Sequence, residues 1–333
     1  MSSSFDVLGI GNAIVDTIAR AEDDFLVAIG LSKGAMALVD EARAQKLYAQ
    51  MGPTTVISGG SAANTMAGLA SLGCRASFVG KVKNDDAGRE FTHDIRQAGV
   101  VFNAQPSTDG AATARCLIFV TPDGQRTMNT FLGACQSLDA TDIDETHVAE
   151  AKVLYMEGYL WDPPGAKEAF LKAAKISRAS GGKVALSLSD AFCVDRYRSE
   201  FLSLIRQGVV DLLFANESEL HALYQTGDFD TAIVALQAED KLLGVVTRSE
   251  KGCVVVTKQN LVSAPAHPVA EVVDTTGAGD LFAAGFLAGY TKGLSHERCA
   301  ALGALAAGEI ISHVGARPQK NLLQLARDHQ LLA

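Results

Sequence analysis

The chain contains no CxxC pair. Its six cysteines, Cys74, Cys116, Cys135, Cys193, Cys253 and Cys299, stand far apart, so neither a zinc ligand set nor a disulfide framework is indicated, and they read as reduced core residues. No uninterrupted apolar stretch approaches the ~18 residues of a membrane span. The opening MSSSFDVLGIG has no basic region followed by an apolar one, as a secretory leader would. The expectation is a soluble, cytoplasmic protein with no membrane partner. Basic tracts are also missing and the formal charge is -9, which argues against a nucleic-acid surface, where clustered Lys and Arg must replace counterions. Nor does GxxxxGK[ST] occur, so a phosphate would have to be held without a P-loop. These absences leave a small-molecule ligand as the default.

What is present is a regular alternation. FDVLGIG, TTVISGG, KVLYMEG, KVALSLS, VVDLLFAN, LLGVVTR and GCVVVTK read as strands, and residues 64–72, 166–179 and 217–225 carry helical spacing between them. Such alternation predicts a three-layer α/β/α fold with a mostly parallel central sheet. Two regions break the pattern. KGAMALVD and TARCLIFVTPDGQRTMNTFL look like strands paired by turns, with Pro122, Asp123 and Gly124 as a hairpin signal. They suit a small β-sheet lid built from segments near 13–58 and 100–135 of a single domain spanning 1–333. After residue 278 the pattern is almost all helical, rich in Ala and Gly.

Several stretches could carry chemistry. LGIGNAIVD starts a dinucleotide fingerprint with Gly9 and Gly11, but Ile14 stands where the third glycine should be, which rejects a Rossmann site. Asn12 and Asp16 remain as polar side chains at a strand's carboxyl end, where α/β sheets bind ligands. In ISGGSAANTMAGLASLG, Gly59 and Gly60 permit close approach of a ligand and Asn64 can donate and accept toward vicinal hydroxyls. An ordinary glycine-rich strand-to-helix turn would look the same.

The segment VVDTTGAGDLFAAGFLAGY (272–290) places Gly277, Ala278 and Gly279 at a helix start. Successive N–H groups there make an anion-binding concavity helped by the helix dipole. Asp280 follows directly, expected ionised and able to take a proton from a hydroxyl approaching a held phosphoryl group. Positioning and charge neutralisation are most of what phosphoryl transfer requires, although a bare GAGD fits a capped helix equally well. Weaker candidates are Asn216 and Glu219 in FANESEL, for a hydrated magnesium ion or a simple capped helix. Thr247 and Gly252 in VVTRSEKGC could meet a nucleotide or form a polar turn. Arg126, just past the hairpin turn, could clamp a phosphate or be merely solvated.

Taken in order, GNAIVD, GGSAANTMAGLASLG with FVGKVKNDDAGREF, NESE, the T…G turn and DTTGAGDLFAAGF resemble the ribokinase-like, or PfkB, family of carbohydrate and nucleoside kinases over nearly the full length. The resemblance implies a ribokinase-like fold and use of ATP and Mg2+, and leaves activation by a monovalent cation open. It implies Asp280 as catalytic base and Gly277, Ala278 and Gly279 as anion hole. Asp16, Gly59, Gly60 and Asn64 would hold the acceptor, with Asn12 beside them from the strand-end reading, Asn216 and Glu219 would serve magnesium and phosphate, and Thr247, Gly252 and Thr276 would contact ATP. GIGNAIVD is similar to the GNPLLD-type opening of the family's adenosine kinases, and Arg126 resembles their lid arginine. A base would then lie against Met36, Leu38, Met128, Leu132 and Tyr159. The implied reaction phosphorylates the 5′-hydroxyl of a ribonucleoside, adenosine first. A free sugar such as ribose or fructose is the alternative acceptor, and a non-catalytic sensor is a third reading. Two departures, Lys83 and Ser249, stand where the family often has glycine. Monomer and homodimer are equally compatible.

Overall fold

The computed structural model describes residues 4–333. Eight strands form the main sheet: β1 (Phe5–Ile10), β5 (Ala76–Val79), β8 (Ala151–Glu157), β9 (Lys183–Ser187), β10 (Leu212–Asn216), β11 (Leu243–Thr247), β12 (Cys253–Val256) and β13 (Leu261–Ala264). Their spatial order is β13-β12-β11-β10-β9-β8-β1-β5. Pairing is parallel from β5 through β11 and antiparallel only at the β12 and β13 edge.

The strands are apolar on both faces, as a sheet covered twice must be. Val7, Val153, Tyr155, Phe214 and Val245 pack on one side with the helices Ser61–Ser71, Ala278–Thr291 and His296–Ile310. Their neighbours Leu8, Leu154, Leu186 and Leu213 point the other way, under Pro164–Ala179, Ala191–Arg206 and Phe229–Ala238. Each fully buried Leu, Val or Phe contributes roughly 1.5–3 kcal/mol through the water it sheds. This is the expected three-layer ribokinase-like fold.

Five strands make the second sheet: β2 (Ile14–Arg20), β3 (Met36–Leu38), β4 (Thr54–Gly59), β6 (Ala114–Val120) and β7 (Arg126–Phe131), in the order β3-β7-β6-β2-β4. The Pro122–Gly124 turn joins β6 to β7, with Gly124 at φ +81° and the Thr121 amide closing on the Gln125 carbonyl at 3.0 Å. One face of this sheet is buried by Leu26, Leu47, Leu117 and Phe119. Register puts Asp16, Ile18, Cys116, Ile118, Met128 and Met36 together on the opposite face.

One strand assignment changes, and two four-residue strands, β5 and β13, are additional to those expected. TTVISGG lies in this second sheet, antiparallel to β2, and not in the parallel core. Thr54, Thr55 and Val56 are exposed, which is compatible with an edge strand, and a short apolar run does not reveal its sheet. The four-residue β5, ASFV, was too short to stand out in the sequence.

Candidate active site

The carboxyl edge of the parallel sheet and the Asp16 face of the lid meet around Asp280. The helix Ala278–Thr291 starts from Gly277, whose φ of +78° turns the chain sharply into the first turn. Asp280 stands in that turn, half-buried, and accepts hydrogen bonds from Ser61 Oγ at 2.6 Å and Asn64 Nδ2 at 2.9 Å. Burial pushes its pKa up, while Ser61, Asn64 and the Arg317 charge pull it down. Burial is thus the largest influence on this carboxylate, and the bonds from Ser61 and Asn64 favour its ionised form. Enclosure makes Asp280 a stronger base than an exposed aspartate.

Among the three expected cradle residues, Ala278 donates its N–H to the Thr275 carbonyl at 3.2 Å and so closes the turn. The amides of Gly277 and Gly279, together with that of Asp280 itself, form no hydrogen bond among the described residues. They are the free donors of a helix N-terminus and suit a phosphate. A methyl built on Gly279 would meet nothing within 4 Å, so the cradle is open on that side.

The acceptor loop is shaped by close contacts. A Cβ on Gly59 would lie 2.4 Å from Asp16 Oδ2, and one on Gly60, at φ +96°, would lie 2.0 Å from the Asn12 carbonyl. Asn64 is turned to Asp280, and its Oδ1 is buried without a partner, an acceptor available to a ligand hydroxyl. Asn12 is not free in the way expected. Its Nδ2 donates to Glu157 Oε1 at 2.6 Å, and Glu157 also accepts from the amides of Asn12 at 3.3 Å and Ala62 at 2.8 Å. Glu157, 1 % exposed at the end of β8, escaped the sequence reading. Its one signal was a lone acid closing an apolar strand.

Arg126 forms an ion pair with Asp274, both side chains at most 8 % exposed, so it is not the solvated hairpin residue of the alternative reading. The second carboxylate oxygen of Asp274 accepts from the Thr276 amide at 3.0 Å and hydroxyl at 2.7 Å, and the first also takes the Gly315 amide at 2.9 Å. Burial opposes ionisation of Asp274, but the bonds from Gly315 and Thr276 and the Arg126 charge outweigh it and hold the pKa below the usual range. Thr276 thus organises the turn, its hydroxyl already engaged. Met36 pairs in register with Met128 on the Asp16 face. Tyr159 lies just beyond β8, its amide donating to Ser189 Oγ at 3.1 Å. Phe192, 78 % exposed, stands at the start of the helix Ala191–Arg206, three residues past Ser189.

Asn216 and Glu219 form a reciprocal capping box: Asn216 Oδ1 takes the Glu219 amide at 2.8 Å, and Glu219 takes the Asn216 amide at 2.9 Å and Nδ2 at 2.6 Å. That is the capped helix of the alternative reading. Among the described residues no group of three or more His, Cys, Asp and Glu side chains could hold a metal ion. Both carboxylate oxygens of Glu219 are engaged by Asn216 in this box. Thr247 sits beside Asn216 across the β10–β11 pair. Gly252 lies where a Cβ would be 2.1 Å from the Ala264 carbonyl, a packing reason for its glycine. Ser249 takes the left-handed φ of +50° that glycine would adopt there, and Lys83 is anchored through its amide to Thr113 Oγ1 at 2.9 Å.

The buried acids give the site a pH signature. Burial raises Asp16 to about 6 and Glu157 and Glu219 each to about 7, from ordinary values of 3.8, 4.5 and 4.5. The folded state then binds protons more tightly than the unfolded one, so the stability they contribute is full below about pH 4 and lost as pH rises through 6 to 7. Asp6, Asp85 and Asp274 are lowered and act in the opposite sense, but only below their ordinary value of 3.8, whereas His267, lowered from 6.5 by burial and by His329, opposes the three acids near pH 6. Thermal melts of the ligand-free protein should therefore show a lower Tm at about pH 8 than at about pH 6. A Tm that rises across that interval would contradict these assignments.

Free amides at a helix start, a carboxylate beside them and a β-lid opposite are the parts that phosphoryl transfer to a hydroxyl needs without a P-loop, which places the protein among the α/β small-molecule kinases. The pattern of the pfkB family carbohydrate kinases matches residues 23–321, and the chain belongs to that family. It is similar to the structure of an adenosine kinase from Sinorhizobium meliloti, at 54% identity over 98% of this chain and 100% of that one, with a TM-score of 0.91. It is also similar to a probable sugar kinase from Rhizobium etli, at 51% identity over 99% and 100%, TM-score 0.92. The adenosine kinase of Saccharomyces cerevisiae is 27% identical over 92% of this chain and 94% of its own length.

Proposed function

We propose that the protein transfers the γ-phosphoryl group of ATP to the 5′-hydroxyl of a ribonucleoside, with adenosine as the preferred acceptor, in the cytoplasm. The observation that carries this reading is Asp280, held by Ser61 and Asn64 and placed beside the unpaired amides of Gly277 and Gly279. Asp280 accepts the hydroxyl proton as the oxygen attacks, so no free alkoxide has to form. Asp16 and the Oδ1 of Asn64 orient the ribose, and the amides of Gly277, Gly279 and Asp280 hold the phosphoryl oxygens as charge develops. Bound magnesium would offset phosphate charge, with Asn216 and Glu219 acting through water. Thr247 lies at the same sheet edge, on the nucleotide side.

A nucleoside is favoured over a bare sugar by the apolar lid face. Met36, Ile18, Ile118 and Met128 share it with Asp16, and a purine supplies the apolar area such a face needs to cover. Arg126, released from Asp274, is in place to meet a phosphate. The sugar reading keeps one observation in its favour, the likeness to the Rhizobium etli probable sugar kinase. An ADP-release assay over adenosine, other nucleosides, ribose and fructose separates them. We expect kcat/KM for adenosine to exceed that for either sugar by at least about 10²-fold, the scale on which a filled pocket discriminates. Preference for ribose or fructose would overturn the nucleoside assignment, and ligand-induced stabilisation without ADP would overturn catalysis.

A further inference from the structure

The segment that follows the helix His296–Ile310 runs across both halves of the site. Glu309, 6 % exposed, fastens it: its Oε1 accepts from the amides of Gln319 at 3.0 Å and Lys320 at 2.9 Å and faces His313 Nε2 at 3.1 Å. Within this strap Gly315 donates to Asp274, and Ala316 lies where a Cβ on Gly277 would meet it at 3.0 Å. So far it supports the phosphate cradle.

The next residue crosses to the acceptor loop. Arg317 Nε donates to the Ser58 carbonyl at 3.0 Å, Nη2 to Ser58 Oγ at 2.8 Å, and Nη1 to the Ala63 carbonyl at 2.7 Å. Ser58 and Ala63 bracket Gly59, Gly60 and Ser61, so one guanidinium clamps both ends of the loop that approaches Asp16 and holds Asp280. Ser58 is fixed from behind by Asp94, which accepts its amide at 2.7 Å and its hydroxyl. These three bonds all go to neutral oxygens. The anions around Arg317 are Asp94, Asp16 and Asp280. Such a planar fork cannot be reproduced by an ammonium group.

We propose that Arg317 is a positioning residue for phosphoryl transfer with two separable roles: its fork fixes the acceptor loop against the phosphate cradle, and its charge offsets the crowding of Asp16 and Asp280. The inference rests on the kinase reading above. The groups around Asp280 are Asp16 from the lid, Tyr155 and Glu157 from β8, Tyr159 from the turn after it, Glu219 from the helix Glu217–Tyr224, and Arg317, while Arg126 acts on Asp16. Arg317 is the cation that lowers Asp280. Burial brings its own pKa down to about 10, so it is charged at neutral pH.

The test compares Arg317→Gln and Arg317→Lys in the full chain, by steady-state kinetics with ATP and adenosine from about pH 5 to 9. Both variants lose the fork and should raise the acceptor KM about tenfold or more. In R317Q the acid limb of kcat should move to higher pH by on the order of one unit, because removing a nearby positive charge raises a carboxylate pKa. R317K should keep the wild-type acid limb. A merely structural arginine would raise KM in both and leave both acid limbs in place. Wild-type acceptor KM in R317K, which can be read even if R317Q does not fold, overturns the clamp, and equal acid limbs in the two variants overturn the charge role. A wild type inactive on every acceptor would instead count against the kinase reading. In that case adenosine affinity by calorimetry decides, and an unchanged value in the variants overturns this proposal.

Discussion

Replacement of Asp280 by asparagine should lower kcat by about 10³- to 10⁴-fold, the upper part of the range for a general base, while the acceptor KM stays within about tenfold. Asparagine keeps the size of the side chain and one oxygen to accept from Asn64. Its amide can donate to Ser61, whose hydroxyl accepts as readily as it donates. The loop and the helix start therefore survive, and the loss falls on the proton transfer alone. Single-turnover measurements at saturating ATP and adenosine isolate that step, and a kcat within tenfold of wild type would remove Asp280 from the chemistry. The effect should greatly exceed that of Arg317→Lys, because Arg317 acts through the acceptor loop and Asp280 on the reacting hydroxyl itself.

Why Asp280 was legible in the sequence, while Glu157 and Arg317 were not, has a physical answer. A helix N-terminus built from glycines is a local feature: GAGD writes the free amides and the adjacent acid in four successive residues. The alternating sheet is equally local in its period, so β1 and β8 to β12 could be read directly. Glu157 becomes significant only through Asn12 and Ala62, which are 145 and 95 residues away in sequence. Arg317 is tied to Ser58 across 259 residues and to Ala63 across 254. In the sequence both are single charged residues, one ending an apolar strand and one in a polar loop. The same limit governs the polar residues that were singled out. Asn12 and Asn216 suggest ligand contacts because their groups can bond, and Thr276 does so through the family resemblance; in the fold these groups bond to Glu157, Glu219 and Asp274. TTVISGG reads both as a core strand and, up to residue 58, as part of the lid, for a related reason. A strand's periodicity reports its faces and not its partners.

Two glycine substitutions separate the shape of the acceptor loop from the openness of the cradle. Gly60→Ala places a methyl 2.0 Å from the Asn12 carbonyl at a φ of +96°, so backbone strain and overpacking add. Together they should cost roughly 2–6 kcal/mol of stability. Whatever shift relieves the clash moves Ser61 and Asn64 away from Asp280, and a displacement near 1 Å costs about 10²-fold in rate. Gly279→Ala is the counterpart. Its methyl meets nothing within 4 Å in the protein, and alanine favours the helix by roughly 0.5–1 kcal/mol over glycine. Its Tm should be unchanged or slightly higher. If the open side is where a phosphate reaches the free amides, the KM for ATP should nonetheless rise by about tenfold or more, as a misplaced anion loses at least one charge-assisted bond. Calorimetric melts and ATP titrations of the two variants make the comparison. A Gly279→Ala with wild-type ATP kinetics would mean that the open side of the cradle faces solvent and no phosphate, and a destabilised Gly279→Ala would mean that this side is not open.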